Sequence, residues 1–295
     1  MTSNLGYAKP LFILAFDHRA SFLKLVGEEA ASDAKLVIYE GFKKAVSAGT
    51  PPKEHGGILV DEEYGDSIHR DAINEGYISV LTVEKSGQDE FDFEYGEKFG
   101  EHIEKYRPTF AKALIRYNPE GDEELNARQR SKLKILSDYC HETGYKFLIE
   151  PLILPTEKQL EIVNGDRGQY DNQIRYELMA RMIKELQNDG IEPDVWKIEG
   201  LESPEQYEAV IKQAKAGGRD NVSAVVLGRG AEKAQVEKWL RAGKGVDGVV
   251  GSAIGRTIFH EPLENMKKGN ISREEAAGQI AENYQYFYRV FNSND

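Results

Sequence analysis

The chain has 295 residues, of which 40% are hydrophobic and 30% charged, and a formal net charge of -12. That length fits one large α/β barrel or two small domains, and no Pro-, Ser- or Gly-rich linker marks a boundary, so a single domain over residues 1–295 is expected. The acidic balance argues against a nucleic-acid partner or an anionic membrane surface, both of which need a basic face, but leaves anionic small substrates open. Cys140 is the only cysteine, so no intrachain disulfide can form and a reducing compartment is expected. Met1–Pro10 lacks a basic region followed by an apolar segment, and no apolar stretch approaches about 18 residues, so a cytoplasmic protein without a membrane span is expected.

In chain order, strand-like apolar runs fall at Leu11–Phe16, Gly57–Val60, Ile78–Val83, Phe110–Tyr117, Lys146–Pro151, Asp194–Ile198, Ser223–Leu227 and Gly248–Ile254. Helical apolar spacing fills gaps between them, as in Lys35–Ser47, Glu97–Tyr106, Asn126–Glu142, Tyr176–Asn188 and Ala231–Arg241. Strands alternating with helices imply parallel pairing. Eight such units in a chain of this length predict an α/β fold, a single (β/α)8 TIM barrel. An open doubly wound sheet is the alternative. It calls for a Gly-rich turn after the first strand, where Phe16-Asp17-His18-Arg19 stands instead. The aromatic run Tyr284–Phe291 reads as a packing face or as a contact in a homo-oligomer.

A barrel collects its chemistry at the C-terminal ends of the strands, and polar residues gather there. The first strand ends in Asp17-His18-Arg19, the second in Asp61-Glu62-Glu63-Tyr64-Gly65, the third in Glu84-Lys85-Ser86-Gly87. The fourth carries Lys112 and Arg116, the fifth Glu150, the sixth Lys197, and the last two end in Gly228-Arg229-Gly230 and Gly255-Arg256-Thr257. Lys197 sits in an apolar run where burial is costly. Making its amine half neutral near pH 7 takes a shift of roughly 3 units from about 10.4, or about 4–5 kcal/mol. Burial beside another cation supplies such a shift, and the neutral amine attacks carbonyls. Lys197 therefore reads either as a Schiff-base lysine or as a strand-end lysine paired with Glu199 or a neighbour. Lys112 either snorkels to the barrel floor or faces Lys197 across the bore, since alternate strands share interior layers. Glu150 is a salt-bridge partner for the lysines or a proton shuttle. The glycines around Arg229 and Arg256 either make tight turns or form the phosphate position usual after strands seven and eight.

The six histidines show no paired metal-ligand spacing, and only His18, at a strand end, is a site candidate; His102 and His141 read as surface or packing residues. Asp61, Glu62 and Glu63 form an acidic turn that can hold magnesium or cap a helix. No metal and no cofactor are expected.

Leu14-Ala15-Phe16-Asp17-His18-Arg19, Ile58–Gly65, Val83-Glu84-Lys85, Asp194–Glu199 and Gly255-Arg256-Thr257 resemble the class I tagatose-1,6-bisphosphate aldolase group. Val83–Gln88, Arg116–Asp122 and Val195–Leu201 resemble more closely the aldolase-like domain fused behind 5-dehydro-2-deoxygluconokinase in inositol catabolism, which is expected to stand alone here with no kinase segment attached. The resemblance implies a metal-independent lyase with Lys197 as Schiff-base lysine and Lys112 and Glu150 as proton-transfer partners. Asp17, Glu63 and Lys85 then line the pocket, and Arg256, Gly255 and Ser252 hold a phosphate. It further implies cleavage of 6-phospho-5-dehydro-2-deoxy-D-gluconate to dihydroxyacetone phosphate and malonate semialdehyde. Such a phosphorylated sugar needs two cationic positions, which Arg256 with Arg229, opposite Arg19, His18 or Arg116, can supply. A bisphosphate fits the same pattern. Two departures bear on substrate: His18 stands where the tagatose group tends to have glutamine, and Gly228-Arg229-Gly230 replaces a small-residue loop. A tagatose-type aldolase, an isomerase or epimerase using Glu63 or Glu150 as base, and a non-catalytic sugar-phosphate sensor remain the alternatives.

Overall fold

Each strand of this chain carries two apolar sets in alternation, and the alternation decides what faces the axis. The computed structural model describes residues 5–293, so residues 1–4 of the N-terminal stretch lie outside the described residues. The strands are β1 (Leu11–Ala15), β2 (Gly56–Val60), β3 (Ile78–Thr82), β4 (Phe110–Arg116), β5 (Lys146–Leu152), β6 (Val195–Glu199), β7 (Ser223–Leu227) and β8 (Val249–Ile254). They pair in parallel in chain order, and β8 returns to β1 to close the barrel. This is the predicted (β/α)8 architecture, with every predicted strand present and no end displaced by more than one residue.

Leu11, Ile13 and Ala15 of β1 meet Leu59, Val80, Phe110, Leu148, Val195, Val225 and Ala253 in a cluster inside the bore. Phe12, Leu14, Ile58, Leu81, Ala111, Ile149, Trp196 and Val226 belong to the larger cluster under the helices. Side chains alternate faces along a strand, so the inward phase can be carried forward by arithmetic. Two residues beyond Ala15, Phe110, Leu148 and Val195 stand Asp17, Lys112, Glu150 and Lys197. Four beyond Val80 stands Glu84. The polar end of the bore follows from five strands kept in phase.

The acidic turn after β2 caps a helix. Asp61 accepts from the Tyr64 N–H at 2.8 Å at the start of the helix Glu62–Glu75. Glu62 accepts from His102 and Lys105, both at 2.6 Å. The aromatic run lies in the helix Arg273–Asn292, where the Tyr284 hydroxyl donates to the Phe12 carbonyl at 2.6 Å and Phe12 meets Tyr288 and Phe291 edge-on. Its packing role is thereby explained: it covers the outside of β1. At the opposite end, buried Asp194 accepts from the N–H groups of Gly6 at 2.7 Å and Phe147 at 2.8 Å, and from Lys146 at 2.9 Å, tying the N-terminal segment to the barrel floor. No helix among the described residues is long and apolar enough to cross a membrane.

Candidate active site

Lys112 lies fully buried at the polar end of the bore with three carboxylates around its ammonium: Asp17 at 2.8 Å, Glu84 at 2.6 Å and Glu150 at 2.9 Å. An ammonium has three donors. Two of them form hydrogen bonds to Asp17 and Glu84, and Glu150 adds a third ion pair. Burial works against the charge, but Asp17, Glu150 and Glu84 outweigh it and hold Lys112 protonated far into the alkaline range.

Lys197 is placed differently. Its side chain is 5% exposed, its ion-pair partner is Glu150 at 2.8 Å, and it lines a cavity of about 340 Å³ at the barrel mouth. Glu150 thus bridges the two lysines with one oxygen, through neighbouring strands β4, β5 and β6. Burial raises the Glu150 carboxyl, yet Lys112 and Lys197 prevail and keep it below its ordinary range. Asp17 likewise resists burial through Lys112, Lys197 and His18 and lies well below the usual carboxylate range. Glu84 goes the other way: burial lifts its carboxyl, and the neighbouring Asp17 charge adds to the lift that Lys112 opposes.

The mouth has two lobes. The lobe with Lys197 also takes in Glu199, the Gly228–Gly230 loop, Gly255 and Arg256. The second, about 290 Å³, takes in Asp17, Arg19, Glu84, Lys85 and the segment Ser86–Phe91. His18, Ser21, Leu114, Arg116 and Glu150 line both. Burial, with Lys197 and Arg256 nearby, pushes the His18 imidazole down to about 4, so the divider between the lobes is neutral at physiological pH.

The cations of the mouth differ in what already holds them. Arg19 donates to Glu94 at 2.6 Å and to the Glu84 carbonyl at 2.5 Å. Lys85 pairs with Asp92 at 3.1 Å. Arg229 turns onto Asp171 at 2.7 Å and Glu199 at 3.1 Å, and Arg175 reaches the same two carboxylates at 2.9 and 3.6 Å, closing a four-member ion ring. Arg116 donates to the Gln88 carbonyl and stands 3.9 Å from exposed Asp89. Arg256, at the first turn of the helix Arg256–Lys267, donates to the Arg229 carbonyl at 2.9 Å and is solvent-exposed. No carboxylate among the described residues pairs with it. Gly255 before it admits no side chain, since a Cβ there would lie 2.0 Å from the Ala15 carbonyl oxygen.

The expected site residues thus converge, with two corrections. Ser252 does not reach the mouth: Ala253 faces the bore, so its neighbour on the strand faces the helical layer, and Ser252 is buried there. Glu63 is exposed in a side groove with Arg19, Tyr64 and Lys85, because the preceding Asp61 caps the helix and turns the chain away from the bore. Glu84 belongs to the site although the sequence reading places it only at the end of the third strand. The signal for it was its phase with Val80 and Thr82. The Glu199–Asp171–Arg175–Arg229 ring gave no such signal, since Asp171 and Arg175 lie on helices whose placement the sequence does not state. Among the described residues, no group of three or more His, Cys, Asp or Glu side chains is placed to hold a metal ion.

The chain belongs to the family described as "Uncharacterized protein conserved in bacteria (DUF2090)", whose model matches residues 1–294. It is 26% identical over 146 residues to tagatose 1,6-diphosphate aldolase 1 of Streptococcus mutans serotype c. That match spans 47% of this chain and 44% of the curated protein, less than half the length of that relative. Among solved structures, the fold is similar to fructose-bisphosphate aldolase from Plasmodium falciparum, with a TM-score of 0.67 at 12% identity over 98% of this chain and 91% of that one. It is also similar to the protein Cgl0159 from Corynebacterium glutamicum, with a TM-score of 0.60 at 16% identity over 99% and 89% of the two chains.

Proposed function

We propose that the protein is a class I aldolase that cleaves a phosphorylated ketose-like substrate through an imine on Lys197. One observation carries the reading: Lys112 is held among three carboxylates, with hydrogen bonds to Asp17 and Glu84, whereas Lys197 has Glu150 beside it and faces a cavity. Attack on a carbonyl requires a lysine that can surrender a proton to a neighbour and reach substrate. Lys197 meets both requirements. Glu150, 2.8 Å away, takes and returns the protons of imine formation. The fixed charge of Lys112 keeps that carboxylate ionised between turnovers. Once formed, the iminium accepts the electron pair of the breaking C–C bond, so the reading calls for no metal.

Arg256 is assigned the substrate phosphate, supported by its exposure, its place at a helix start and its lack of a carboxylate partner among the described residues. The partial likeness to a tagatose 1,6-diphosphate aldolase supports the aldolase class. The finer assignment, 6-phospho-5-dehydro-2-deoxy-D-gluconate giving dihydroxyacetone phosphate and malonate semialdehyde, rests on the motifs around Glu84, Arg116 and Lys197 and on a mouth with cations in both lobes. Borohydride reduction in the presence of dihydroxyacetone phosphate tests the reading. A stable adduct on Lys197, absent from a folded Lys197→Arg variant, is expected; an unlabelled wild-type enzyme overturns it.

A further inference from the structure

Three carboxylates surround Lys112, but they are not equivalent. Glu150 meets both lysines. Asp17 gives one oxygen to Lys112 and has the His18 ring 4.0 Å from the other. Glu84 gives Oε1 to Lys112 at 2.6 Å, while its Oε2 is buried with no hydrogen-bond partner; the Glu150 Oε2 also lacks one, but it has two ammoniums within 2.9 Å. A carboxylate oxygen buried without a donor is costly, and the cost is removed when that oxygen carries a proton. The site also holds three carboxylates against two ammoniums, so one negative charge is in excess. Glu84 is where the excess is least supported: Lys112 faces it from β4, Asp17 repels it from β1, and Arg19 reaches its backbone carbonyl rather than its carboxyl. Glu94 is taken up by Arg19.

Position adds a second argument. Glu84 lines the lobe opposite the one lined by Lys197 and Arg256. A substrate attached to Lys197 with its phosphate toward Arg256 has its other fragment in the lobe of Glu84. The C–C bond to be broken then lies over Glu150, which lines both.

We propose that Glu84 is a further catalytic residue, the acid–base group at the oxygen of the fragment that leaves as aldehyde. The inference rests on the imine reading above. In cleavage, the Glu84 carboxylate takes the proton of the hydroxyl on the departing carbon. The O–H pair becomes the second C=O bond, the C–C pair moves into the iminium to give a neutral enamine, and Glu84 is left as the carboxylic acid. Condensation reverses each transfer, with Glu84 protonating the oxygen as the C–C bond forms. Asp17 is less suited to this work, because Lys112, Lys197 and His18 stabilise its ionised form and weaken it as a base. The lifted Glu84 carboxyl is the better base once ionised, so cleavage should gain rate as rising pH removes its proton.

The test separates the two halves of the reaction. Dihydroxyacetone phosphate alone should exchange its α-hydrogen with deuterium and be trapped on Lys197 by borohydride, since enamine formation involves no leaving oxygen. Glu84→Gln, which keeps the size and a polar contact to Lys112, should preserve trapping and exchange within about 3-fold. It should slow condensation with malonate semialdehyde or glyceraldehyde 3-phosphate, whichever the wild type accepts, by roughly 10²- to 10⁴-fold. Glu84→Asp, which keeps the carboxyl, should restore part of that rate together with its dependence on pH. Condensation within 3-fold of wild type in Glu84→Gln overturns the proposal, as does a parallel loss of exchange and condensation in both variants, which marks a merely structural role. A wild-type enzyme that neither exchanges nor is trapped overturns the imine reading itself, and this inference with it.

Discussion

The Glu150 carboxylate lies 2.8 Å from the Lys197 ammonium, on strands that are neighbours in the closed barrel. The same oxygen lies 2.9 Å from Lys112 on the other neighbour. One acidic side chain therefore stands between two ammoniums drawn from both sides of its own strand. The two lysines are inequivalent from there outward: Lys112 has two further carboxylates, and Lys197 has the cavity. In the imine mechanism we propose, that asymmetry suits Lys112 to holding charge and Lys197 to acting as the nucleophile.

Removing the charge-holding lysine exposes its price. Lys112→Met leaves Asp17 and Glu84 buried without their ammonium and Glu150 with one cation in place of two. Breaking a buried ion pair from one side typically costs about 3–5 kcal/mol. The urea midpoint should fall by a corresponding amount at pH 7 and by less near pH 5, where protonation relieves part of the carboxylate charge. Adding Glu84→Gln to Lys112→Met should recover part of the loss. An unchanged midpoint in the single variant would show that the carboxylates find other compensation.

The two arginines after β7 and β8 should separate in kinetics. Charge-assisted hydrogen bonds contribute about 1.5–3 kcal/mol, so Arg256→Ala should raise KM for a phosphorylated substrate by roughly 10- to 150-fold. The effect should shrink for a substrate lacking phosphate. Arg229 is bound up with Asp171 and Glu199, so Arg229→Ala should lower thermal stability while changing the phosphate-dependent part of KM much less. Equal loss for phosphorylated and unphosphorylated substrates in Arg256→Ala would return Arg256 to a structural role.

His69 should make the fold sensitive to acid. Its ring is buried, Nε2 donates to the Val60 carbonyl at 3.0 Å, and Nδ1 therefore accepts from the Ser79 hydroxyl at 2.9 Å. Burial pushes its pKa down from 6.5 to about 4. A depressed histidine stabilises the fold above the unfolded value and loses that stability as pH falls from about 6.5 to about 4, where the unfolded chain takes up a proton that the native state refuses. The span corresponds to about 3 kcal/mol. Urea denaturation across this window should show a shallower pH dependence in His69→Gln than in wild type, by close to one proton. Parallel curves for the two proteins would remove His69 as the origin.

Much of the barrel was legible in the sequence because a strand's two faces repeat every second residue. Eight apolar runs with helix-length gaps leave few alternatives to closure, and the phase that puts Leu148 and Val195 inward also puts Glu150 and Lys197 inward. Local order of this kind survives in one dimension. What each ammonium meets does not. Asp17 and Lys112 are 95 residues apart, and Lys112 and Glu84 are 28 apart, yet each pair closes to hydrogen-bond distance. The sequence marks both lysines as costly to bury without saying which is compensated. Closure of the barrel decided that, by bringing three carboxylates onto Lys112 and leaving Lys197 one. It likewise turned Arg229 onto Glu199 and Asp171 while leaving Arg256 without a carboxylate partner among the described residues, because ion pairing depends on distances that only the packed helices and the closed sheet establish.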